Sequence, residues 1–117
     1  MKVLNTDKLK MLFGKDEKLL DLIVSYFLET SHHIRYELER SLSTEDLDQV
    51  IAFATALKEA SSFVGGEIVA LLCEQFIEKA QSEDSWNRLH HNIKSIDYEC
   101  TKLVEELQFF IHHKKSA

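Results

Sequence analysis

The sequence predicts an all-α fold: an up-and-down antiparallel four-helix bundle with a short additional N-terminal helix. Three observations lead there. Proline is absent and glycine occurs only 3 times in 117 residues, too little punctuation for a fold of strands and tight turns. Apolar residues recur at steps of three and four along nearly the whole chain, the period of a helix with one buried face. The breaks between these runs are short, and short connections make neighbouring helices antiparallel. With 44% apolar and 29% charged residues, residues 1–117 read as one globular domain that can bury a core without disulfides or metal.

The first helix covers about residues 6–13, capped by Asn5 or Thr6, with Leu9, Leu12 and Phe13 on its apolar side. Gly14 marks the break after it. Asp16 opens a second, long helix that ends near Leu42. Leu20, Ile23, Val24, Phe27, Ile34 and Leu38 form its buried stripe, which Ser31 interrupts once. Ser43 and Asp46 form a capping-box variant ahead of a third helix over about 45–63. Its buried side is Leu47, Val50, Ile51, Ala54, Leu57, Ser61 and Val64, and Gly65-Gly66 stops it. The fourth helix, about 67–81, carries Ile68, Val69, Leu71, Leu72, Phe76 and Ile77, apolar around enough of its circumference to place it centrally. After the break Ser82-Glu83-Asp84-Ser85, Asp84 or Ser85 starts a last helix to about residue 113. Trp86, Leu89, Ile93, Ile96, Cys100, Leu103, Val104, Leu107 and Phe110 make its stripe. On the order of 40 Å long, it exceeds the usual height of a small bundle, so its last turns are expected to project.

Charge and composition exclude several classes of function. The formal charge is −6. An acidic surface repels phosphate backbones and anionic lipid, so neither nucleic acid nor membrane is expected as a partner. The opening residues lack the apolar core of a signal peptide, and no run approaches a membrane span. Cys73 and Cys100 fall in no CxxC pair and read as two buried thiols in a reducing compartment. A cytoplasmic protein, monomeric or weakly dimeric, is expected.

One segment carries more than helical periodicity: Ala54-Thr55-Ala56-Leu57-Lys58-Glu59-Ala60-Ser61-Ser62-Phe63-Val64-Gly65-Gly66. It resembles the signature of histidine-containing phosphotransfer (HPt) domains of two-component phosphorelays, Ala-His-x-Leu-Lys-Gly-Ser-x-x-x-Leu-Gly-Ala. Ala54, Leu57, Lys58, Ser61 or Ser62, and Gly65 fit; Val64 and Gly66 are mild substitutions. Leu4 to Phe27 is similar to the family's opening. Leu71, Leu72, Cys73 and Phe76 resemble its Leu-x-x-x-Cys-x-x-Leu-Glu run, with Ile77 where the glutamate would fall. The resemblance covers nearly the whole chain. It implies a helical bundle that docks a receiver domain or a histidine kinase.

Two departures bear on activity. The resemblance puts the phospho-accepting histidine at position 55, where this chain has Thr55, and a glycine at 59, where it has Glu59. Neutral imidazole is a good nucleophile whose phosphoramidate stays labile. A threonine hydroxyl is weak without an activating base, and no histidine lies within a turn of Thr55 in sequence. The resemblance therefore implies a degenerate member, a pseudo-HPt that is no enzyme and carries no phosphate at position 55. Glu59 adds bulk and a negative charge that would repel an incoming aspartyl phosphate, or would imitate a phosphorylated histidine one turn away. At about 100° per residue, Asp48, Glu59 and Ser62 fall within about 40° of Thr55, opposite the buried stripe, with Lys58 on the flank. Asp48, Thr55, Lys58, Glu59 and Ser62 are the candidate protein-binding residues.

The remaining polar features point to no cofactor. His32-His33, His90-His91 and His112-His113 are adjacent pairs. Neighbours on a helix diverge by about 100°, so neither pair member can join the other on one metal, which needs spacing of three or four. No metal is expected. His112-His113-Lys114-Lys115 reads as a solvated tail. No glycine-rich phosphate loop, GxSxG or Cys-His arrangement is present. Two other functions stay open: an active phosphocarrier using a non-standard histidine, and a helical adaptor unrelated to phosphorelays.

Overall fold

Among the described residues the chain forms five helices: α1 (Thr6–Phe13), α2 (Glu17–Ser43), α3 (Leu47–Phe63), α4 (Glu67–Gln81) and α5 (Trp86–Ser116). The computed structural model describes residues 4–13, 16–82 and 85–116, with no strand among them. Gly14, Glu83 and Asp84 lie outside the described residues, as do the side chains of Leu12, Phe13, His113, Lys114 and Lys115.

Short polar side chains set the helix starts. Asn5, rather than Thr6, caps α1: its Oδ1 accepts from the Lys8 N–H at 3.0 Å. Asp16 accepts from the Leu19 N–H at 3.0 Å, Asp46 from Gln49 at 3.2 Å and Ser85 from Arg88 at 3.2 Å. Each satisfies an N–H that the first helical turn leaves without a partner.

Two helices stop by one device. Glu45 (φ 54°) and Gly65 (φ 81°) are left-handed. After α3, the Gly65 N–H donates to the Ser62 carbonyl at 3.2 Å and Gly66 to Ser61 at 2.7 Å. After α2, Glu45 donates to Leu42 at 3.1 Å and Asp46 to Ser41 at 3.0 Å. Both are Schellman closures, which use up carbonyls left free at a helix end. The expected capping box from Ser43 to Asp46, with a third helix from about residue 45, therefore does not form. Ser43 is the last residue of α2, residues 44–45 belong to its closure, and Asp46 alone caps α3.

The four long helices close a ring. α2 packs on α3 and α5, α4 packs on α3 and α5, and α1 lies against α2. α4 is consequently no more central than its neighbours, contrary to the expectation from its composition. It buries Val69, Cys73, Phe76 and Ala80 on one face, and Leu71 is 54% exposed. The core draws on every helix, with Phe27, Leu38, Leu57, Phe76, Leu103 and Leu107 among its largest buried side chains. Each contributes roughly 2–3 kcal/mol by leaving water. Ser31 is buried within the α2 stripe, as its place in the repeat implies.

α1 sits on the turn between α3 and α4. The Asn5 N–H donates to the Gly65 carbonyl at 2.8 Å, the Leu4 N–H donates to Glu106 Oε2 at 2.7 Å, and Leu9 is fully buried. Gly66 lies so close to α5 that a Cβ there would collide with the Leu103 side chain. α5 has 31 residues against 15 in α4, about 46 Å of helix at 1.5 Å per residue. Its closing turns do not stand wholly clear of the bundle, because Phe110 and Ile111 still pack against the core while Phe109 is 62% exposed.

Candidate functional site

The outer face of α3 carries the row anticipated from its helical wheel. Asp48 and Glu59 are exposed; Thr55, Lys58 and Ser62 are half-buried. Val50, Ala54, Leu57 and Ser61 occupy the opposite, buried face. The half-burial of Thr55 comes from α2 and α4, which flank α3 and shade its sides. Thr55, Lys58 and Glu59 have no hydrogen-bond or ion-pair partner among the described residues. Ser62 Oγ has one: Lys8 Nζ of α1 donates to it at 3.5 Å, and the same ammonium lies 3.4 Å from Glu67 Oε1. This contact ties α1 to the rim of the site.

Two grooves run along α3. The one between α3 and α4, about 580 Å³, is lined by Lys8, Lys58, Glu59, Ser62, Phe63, Glu67, Leu71 and Glu74, with Ala70. The one between α2 and α3, about 360 Å³, is lined mainly by apolar side chains, Leu22, Tyr26, Phe27, Phe63 and Val64 among them, and among the described residues its one charged side chain is Glu59. Glu59 and Phe63 line both, so they form the ridge between them. Leu22 (69%), Tyr26 (68%), Phe63 (55%) and Leu71 are largely exposed around this ridge. None of these four is among the candidate residues that the helical wheel of α3 picks out. A signal was present: Leu22 and Tyr26, spaced by one turn, lie off the α2 stripe, and Phe63 stands one turn beyond Glu59.

The Thr55 hydroxyl has no hydrogen-bond partner among the described residues, and so none that is a base. Among the described residues no histidine lines either groove. His32, His33, His90, His91 and His112 are all exposed. Cys73 is buried in α4 with its thiol pushed up to about 12, chiefly by burial and then by Cys100, against a smaller lowering by Lys58. Burial likewise raises Cys100. Neither is a nucleophile at neutral pH, and both are unbridged. Among the described residues no three His, Cys, Asp or Glu side chains converge on a metal position. Among the same residues no helix is long and apolar enough to cross a membrane.

The described residues form an antiparallel helical bundle whose outer helix α3 carries a polar row, with Lys58, Glu59 and Ser62 at the open grooves on its two sides. The chain belongs to the HPt family, since the Hpt domain model matches residues 22–109, from the first turns of α2 into the last third of α5. That membership ties it to two-component phosphorelay signalling, in which Hpt domains are phosphotransfer modules that interact with receiver domains and kinases. The chain matches no curated protein and no solved structure.

Proposed function

We propose that this chain is a non-catalytic HPt module. It binds a receiver domain or a histidine kinase through the α2–α3 face around Thr55 and modulates phosphoryl flow without accepting phosphate at position 55. The observation that carries the reading is the replacement itself. Where the family signature has its acceptor histidine, this chain has Thr55, whose hydroxyl has no hydrogen-bond partner among the described residues, one helical turn before the ridge at Glu59. Asp48, Thr55, Lys58, Glu59 and Ser62 supply polar contacts, and Lys58 is free to meet a partner carboxylate. Leu22, Tyr26, Phe63 and Leu71 supply apolar ones. Large apolar side chains ringed by polar groups are the usual anatomy of a protein interface.

The test is a titration of the chain against the receiver and kinase domains of its own organism. Micromolar or tighter binding to at least one of them is expected. Thr55→Arg should weaken it by about tenfold or more, on the order of 1.4 kcal/mol. No binding across the panel would end the docking role. Thr55→His combined with Glu59→Gly should gain phosphate from the cognate receiver, while the natural chain should not. Acid-labile, base-stable phosphate on the natural chain would move the acceptor role to another histidine.

A further inference from the structure

We infer that the α3 ridge distinguishes the two states of a receiver domain and holds the unphosphorylated one, because Glu59 permanently presents a negative charge beside the position a phosphoryl group would occupy. The inference rests on the docking role proposed above and adds the state of the partner.

Three features of the ridge carry it. First, the Glu59 carboxylate is exposed and has no hydrogen-bond or ion-pair partner among the described residues. The nearby cations do not neutralise it within the apolar groove. Lys8 and Lys58 line only the α3–α4 side, and Lys8 is already engaged by Glu67 and Ser62. That side also holds Glu67 and Glu74, so among the described residues its acids outnumber its lysines. Second, among the described residues Glu59 is the one charged side chain lining the α2–α3 groove. A partner that covers this groove removes water from around the carboxylate and strengthens every Coulomb interaction it makes. Third, Glu59 follows Thr55 by one helical turn, on the same face. A phosphoryl group directed at Thr55 comes within about 8 Å of the carboxylate, given the rise of about 5.4 Å per turn.

Phosphorylation takes a partner aspartate from one negative charge to about two and moves that charge outward, toward this ridge. One added charge at about 8 Å, in a medium between water and protein interior, corresponds to about a fivefold loss of affinity. Imitation of a phosphorylated side chain by Glu59 leads to the same sign. A docked pair shares one phosphoryl group between its two sites, and the ridge already supplies that charge. The module therefore withholds idle receivers rather than draining phosphorylated ones.

The experiment titrates the full chain against each receiver domain of its organism, unmodified and as the beryllofluoride complex that imitates aspartyl phosphate. The unmodified form should bind about fivefold more tightly, with a ratio that grows as ionic strength falls. Glu59→Gln should bring the ratio close to one. Glu105→Gln, on α5, which does not pack against α3, should keep it. Equal or tighter binding of the beryllofluoride form overturns the inference and leaves the docking role standing. A ratio that survives in Glu59→Gln also overturns it. Absence of binding to either form of every receiver removes the docking role and this inference together.

Discussion

Ser61 is a fully buried serine whose Oγ has no hydrogen-bond partner among the described residues. It faces the core one position from Ser62, which faces the site. A buried hydroxyl without a partner loses its hydration and gains nothing in return. Ser61→Ala should leave stability unchanged or raise it by about 1 kcal/mol in urea or thermal unfolding. A loss greater than about 1 kcal/mol would mean the hydroxyl has a partner in solution. The buried place of Ser61 was legible from its position in the 3.6-residue repeat, and so was the face shared by Asp48, Thr55, Glu59 and Ser62. The degree of exposure was not. A helical wheel describes one helix, whereas the half-burial of Thr55 and Lys58 depends on how far α2 and α4 rise on either side of α3.

At the scale of the elements, the α3–α4 turn joins three parts of the molecule. Gly65 ends α3 in a left-handed conformation, its carbonyl accepts from Asn5, and Asn5 also starts α1. A Cβ at Gly65 would lie 2.7 Å from the Asn5 carbonyl oxygen, which as backbone cannot step aside. Gly65→Ala combines that collision with the left-handed penalty of about 1–2 kcal/mol. It should destabilise the chain by about 2–4 kcal/mol and increase protease access to α1. Unchanged stability would mean that α1 does not hold the turn. Glu45 shows the contrast: the same closure after α2 tolerates a side chain because that turn is exposed. The glycine pair was legible as a stop, but its second role as the seat of α1 was not, because the contact joins residues far apart in sequence.

At the scale of the whole molecule, α2 and α5, neighbours in the ring, are held together by Arg35. Its Nε donates to Asp97 Oδ1 at 3.1 Å, and its Nη2 donates to the Asp97 carbonyl at 3.3 Å and to Thr101 Oγ1 at 3.4 Å. Glu39, one turn along α2, is held above its ordinary value of 4.5, first by a hydrogen bond with Asp97, then by burial and by the Asp97 charge, against a lowering by Arg35. A carboxyl whose folded-state pKa is raised disfavours folding when ionised, and that penalty is relieved as pH falls through the raised value. Glu39→Gln keeps a donor toward Asp97 and removes the repulsion. The variant should therefore melt higher than the natural chain at neutral pH. The gap should close as pH falls through that raised value, as the natural carboxyl takes up its proton. A gap that widens on acidification would show the Glu39 charge to be favourable. Being largely exposed, Glu39 should give a modest effect.

Local chemistry by itself determined the helices. Asn5, Asp16, Asp46 and Ser85 act on N–H groups within one turn, Gly65 acts on carbonyls within one turn, and the apolar repeats place each buried stripe. These effects reach no farther than about four residues, so they can be read along the chain. The family signature around Thr55 lay within one helix for the same reason. Only the tertiary structure decided what surrounds it: the two grooves, the outward Leu22, Tyr26 and Leu71, the reach of Lys8 to Ser62 across 54 residues of sequence, and the Arg35–Asp97 clasp across 62. Periodicity sets angles around one axis. The rotation and register of one helix against another follow from filling the shared core without voids, a condition that all the buried side chains meet together.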